Sequence, residues 1–87
     1  MENFIENVIY LYNDNIKITQ LLEENAKDIQ KAEELLQKDF ITEETKDFLH
    51  NRLNDLWKQR ETLGYYKAYI DMRYEQLIKI LNTVFNL

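Results

Sequence analysis

The chain is 87 residues long, carries a formal net charge of −5, and contains no cysteine, no proline and a single glycine. One small domain is the most this length holds, and such a domain buries only about 60–65% of its extended surface. The missing cysteines exclude disulfides and thiolate metal sites, the lone His50 argues against an all-protein zinc site, and the acidic balance argues against nucleic acid as a direct partner. Self-association is then the remaining common means of stabilising so small a chain.

The near-absence of proline and glycine, beside abundant Leu, Glu, Lys and Gln, predicts an all-α protein. No stretch approaches the roughly 18–20 uncharged apolar residues of a membrane span, and no basic region precedes an apolar core at the start. The expected setting is therefore cytoplasmic, of the producing or a host cell, without membrane contact.

Asn3 followed by Glu6 resembles a capping box and predicts the start of a helix over about 3–38. Its apolar seam reads Phe4, Val8, Leu11, Asn15, Ile18, Leu22, Asn25, Ile29, Ala32 and Leu36, with gaps alternating between four and three. That alternation is a heptad pattern, which places all ten residues on one face. A second stripe, Ile5, Ile9, Tyr12 and Ile16, runs beside the first and then gives way to Glu23 and Lys27. Asn13, Asp14 and Asn15 favour turns, but the heptad phase passes through them, which predicts one helix. Lys31 and Lys38 fall in its expected last turns, where cations suit the helix dipole.

A turn is expected over 39–42, with Phe40 and Ile41 as an apolar corner. Thr42 is a suitable N-cap, and Glu43 and Glu44 place negative charge in the next first turn. The second helix is expected over about 43–86, roughly 60 Å at 1.5 Å per residue. Its seam reads Leu49, Leu53, Leu56, Arg60, Leu63, Lys67, Ile70, Tyr74, Leu77, Leu81 and Val84. Gly64 costs about 1 kcal/mol in a helix interior relative to Ala. It either permits close packing or ends one helix and begins another, and the second case would give a three-helix bundle.

A short connection makes the helices antiparallel neighbours. Facing residues then have numbers summing to about 82. Ile29 meets Leu53, Leu22 meets Arg60, and Asn15 meets Lys67. Asn25 falls opposite Leu56 or Trp57, whose indole N–H is a candidate donor to it. Arg60 and Lys67 are expected to bury their stems and reach Asp14, Glu23 or water with their heads. Asn15, Asn25, Arg60 and Lys67 thus form a polar seam, of the kind that fixes register at a cost in stability.

At the end away from the turn, Ile5, Ile9, Tyr12, Ile16, Tyr66, Tyr69, Ile78, Ile80, Phe85 and Leu87 exceed what two helices can cover. Burying about 400–600 Å2 more would contribute roughly 10–15 kcal/mol before association costs. The expectation is a homodimer in which two hairpins form a four-helix bundle, with these residues at the interface.

Chemical motifs are sparse. Asp47 and His50 share a helix face at the spacing of di-metal bundles, but the motif occurs once where two are needed. No nucleophile has a base nearby and no glycine loop can cradle phosphate, so neither an enzyme nor a cofactor is expected. The first 41 residues hold four Lys against nine acids, and the remainder is balanced. Glu23, Glu24, Glu33, Glu34 and Tyr65 are therefore the candidate contacts for an unidentified protein partner. The expected function is non-catalytic protein–protein interaction, as an adaptor or inhibitor acting on a host protein, with a scaffold or oligomerisation module as the alternative. The Asn, Ile and Lys richness is of the kind found in phage and mobile-element proteins.

Overall fold

The computed structural model describes residues 2–85. Two helices make the fold, α1 over Glu2–Leu36 and α2 over Glu43–Phe85. They pack as an antiparallel hairpin 63 Å long and 17 by 15 Å across. The expected end of the second helix at 86, and Leu87, lie outside the described residues.

Burial follows the heptads. Every seam position of α1 from Phe4 to Leu36 is buried or half-buried, as is every seam position of α2 from Leu49 to Leu81. Ile18, Ile29, Ala32, Leu49, Leu56, Ile70 and Leu77 form the apolar core, with Asn25 buried among them. Leu56 and Ile70 are the largest fully buried side chains, and each contributes about 1.5–3 kcal/mol by leaving water. Val84 is the exception on the seam and is exposed. Residue 80 faces Glu2, so among the described residues the last turn of α2 runs past the start of α1.

α2 passes through Gly64 without a break, so the three-helix alternative does not form. A Cβ added at Gly64 would meet no atom within 4 Å. The glycine is therefore neither a helix end nor a point of close packing inside the hairpin. α1 likewise runs unbroken through Asn13, Asp14 and Asn15, because the seam on either side anchors it. Helical backbone already at Glu2 means that Asn3 is not the expected N-cap; a cap residue needs extended backbone.

The connection is 37–42, longer by two residues than expected. Gln37 N–H donates to the Glu34 carbonyl at 3.2 Å and Lys38 N–H to the Leu35 carbonyl at 3.1 Å. These tighter i to i−3 bonds close the helix at Leu36. Lys38 consequently leaves the last turn, which holds no cation. In the connection Ile41 is half-buried, while Phe40 is exposed. Thr42 caps α2 as expected: Thr45 N–H donates to its Oγ1 at 3.2 Å, and Lys46 N–H to its carbonyl at 3.0 Å.

Thr42→Ala removes that acceptor and should lower unfolding stability by about 1 kcal/mol, whereas Thr42→Asp should keep it. Urea denaturation followed by circular dichroism measures both; equal loss in the two variants would contradict the cap.

Candidate functional site

Four polar side chains enter the seam, and the structure pairs all of them. Asn25 Nδ2 donates to the Leu56 carbonyl at 2.9 Å and to Gln59 Oε1 at 3.0 Å. Arg60 Nη1 reaches the Leu22 carbonyl at 3.3 Å and Asn25 Oδ1 at 3.4 Å. One helical turn-pair further along, Lys67 Nζ donates to Asn15 Oδ1 at 2.8 Å and to both Asp71 oxygens, at 2.9 and 3.0 Å. Asn15 Nδ2 closes the ring onto Asp71 Oδ1 at 3.1 Å. Among the described residues no buried side-chain nitrogen or oxygen lacks a partner.

The register predicted from the sequence is the one that forms, with Asn15 against Lys67, Leu22 against Arg60 and Asn25 against Leu56. The partners differ in detail. Trp57 is exposed, because it lies 100° around the helix from Leu56 and points away from Asn25. Arg60 and Lys67 do not reach Asp14 or Glu23. A backbone carbonyl and Asp71 are nearer, and Asp71 sits four residues after Lys67 on the same helix face. Gln59 and Asp71 are the members that sequence reasoning missed. The spacing of Lys67 and Asp71 was the available signal.

These contacts also define two sides of the hairpin. Asn15 with Asp71 marks one; Asn25 with Gln59 marks the other. Helical periodicity assigns Ile5, Ile9, Tyr12, Ile16 and Thr19 of α1 to the first side, with Trp57, Gly64, Ile78 and Phe85 of α2. It assigns Tyr66, Tyr69 and Ile80 to the second. The residues expected at a dimer interface therefore fall on two sides of the rod, with Ile80 and Phe85 meeting at one notch at the open end. Six share the first side and three the other.

On the first side, Ile5, Ile9, Tyr12 and Ile16 are 43–61% exposed, and Ile78 is half-buried. The stripe ends at Thr19, which with Tyr12, Asn15, Ile16, Gln20 and Glu23 lines an open hollow of about 380 Å3. At the overhang, Phe4, Ile80, Leu81, Val84 and Phe85 line an apolar notch of about 110 Å3. Towards the turn the same side becomes polar. A shallow basin of about 530 Å3 there is lined by Asn54, Trp57, Lys58, Arg60 and Glu61.

Glu23, Glu24, Glu33 and Glu34 are all exposed, as is Tyr65. Glu34 accepts from Gln30 Nε2 at 3.1 Å. Among the described residues the ion pairs are Lys46 with Glu43 and Lys67 with Asp71, so those four carboxylates face solvent. Asp47 and His50 are exposed. Among the described residues no three His, Asp or Glu side chains are grouped to hold a metal ion, and no helix is long and apolar enough to cross a membrane.

Compared with protein-family models, with curated proteins and with solved structures, the chain matches none.

Asn25 is buried and Asn15 half-buried, which ranks their substitutions. Asn25→Ala should cost about 1–3 kcal/mol, since it strips the Arg60 head of an acceptor inside the seam. Asn15→Ala should cost less, about 1 kcal/mol or below, because water reaches Lys67 and Asp71 there. Parallel urea melts test the order; its reversal would mean that the Lys67 ring, not Asn25, holds the two helices together.

Proposed function

We propose that the protein is a non-catalytic protein–protein interaction module that works as a homodimer of hairpins. The observation that carries this reading is the exposed stripe Ile5, Ile9, Tyr12 and Ile16 beside Ile78 and Phe85. A continuous apolar strip along one side of a thin rod is costly in water and marks an interface. Its confinement to the half of the rod away from the turn divides the molecule by role. The apolar half associates with a second copy, and the charged half, carrying Glu23, Glu24, Glu33 and Glu34, remains for another protein.

A four-helix bundle is the assembly this implies, since two helices bury one seam each and two hairpins bury a second surface between them. On this reading the module is an adaptor or inhibitor whose acidic arm meets a basic surface of a captured protein. Tyr65, exposed near the middle of the rod, would contribute an aromatic contact of the kind that dominates binding energy.

Light scattering after size exclusion, at tens of micromolar, should give twice the 10.7 kDa chain mass. A double substitution, Ile9→Asp with Ile16→Asp, should return the monomer mass with helicity largely kept. A wild-type monomer would sink the reading. Reversing Glu23, Glu24, Glu33 and Glu34 to Lys should leave the dimer mass unchanged; dissociation in that variant would place the acids in the self-association surface instead of the free arm.

A further inference from the structure

We draw no further inference here: the strongest candidate, the apolar notch at the open end of the hairpin where Phe4 of α1 meets Ile80, Leu81, Val84 and Phe85 of α2, carries none, because nothing in the structure shows what covers it.

Discussion

Asn25 is the residue on which the pairing of the two helices depends. Its amide is buried between α1 and α2, donates twice into α2 and accepts from Arg60. Aliphatic layers alone are nearly interchangeable, so a seam made only of Leu and Ile would tolerate sliding by a heptad. Polar layers are not interchangeable. If α2 slid by seven residues one way, Asn25 would face Leu63, Arg60 would face Ile29 and Lys67 would face Leu22. If it slid the other way, Asn25 would face Leu49 and Lys67 would face Val8. Each slip leaves desolvated donors without acceptors, at about 1–3 kcal/mol apiece. The native register is the one in which the polar members of one helix meet those of the other. Such layers stabilise less than leucines would, and they contribute a single alignment in return.

Much of the architecture was legible in the sequence, because a strict repeat overdetermines it. Twenty-one seam positions in two unbroken phases leave little freedom for the faces, and Thr42 with the two glutamates after it fixes where α2 begins. The facing pairs then follow from the turn position by arithmetic. Less legible were features decided by a few tenths of a kilocalorie or by side-chain reach. α1 stops at Leu36 because two tight bonds close it, and no residue type announces that. Arg60 takes a carbonyl of the opposite helix in preference to Glu23 because the carbonyl lies under its head, which the one-dimensional pattern does not show. Trp57 looked like a donor to Asn25 from its number alone, yet one residue is 100° of rotation. The same rotation divides Tyr66, Tyr69 and Ile80 from Ile5 and Ile9, which a list of apolar residues near one end could not separate. Gly64 was the most ambiguous residue, since composition marks it as unusual without saying on which surface it opens.

The rod is uneven along its length. Exposed apolar side chains occur towards the turn, as Leu35, Phe40, Phe48 and Trp57, and away from it, as Ile5, Ile9, Tyr12, Ile80, Val84 and Phe85, but a stripe running beside the α1 seam occurs only in the second region. At the open end Phe4 of α1 and Ile80, Leu81, Val84 and Phe85 of α2 surround an apolar notch. The polar seam sits between the two regions, with Ile18, Asn25 and Leu56 buried along it.

The single connection at 37–42 also sets the order in which the hairpin assembles. Every contact between the helices spans a chain segment that grows by two residues for each step away from the turn. Ala32 and Leu49 close a short loop, whereas Phe4 and Leu77 close one of more than seventy residues. Each doubling of loop length adds only about 0.6 kcal/mol when closed directly, but contacts near the turn form first and shorten the path for the next. A path that zips from Thr42 outward, through the Asn25 layer and then the Lys67 ring, keeps each newly closed loop short. Amide hydrogen exchange should record that sequence as a gradient, slowest around Leu56 and fastest beyond Ile70. A second copy bound over the last-formed turns would flatten the gradient, so that folding and association become one event at the open end of the rod.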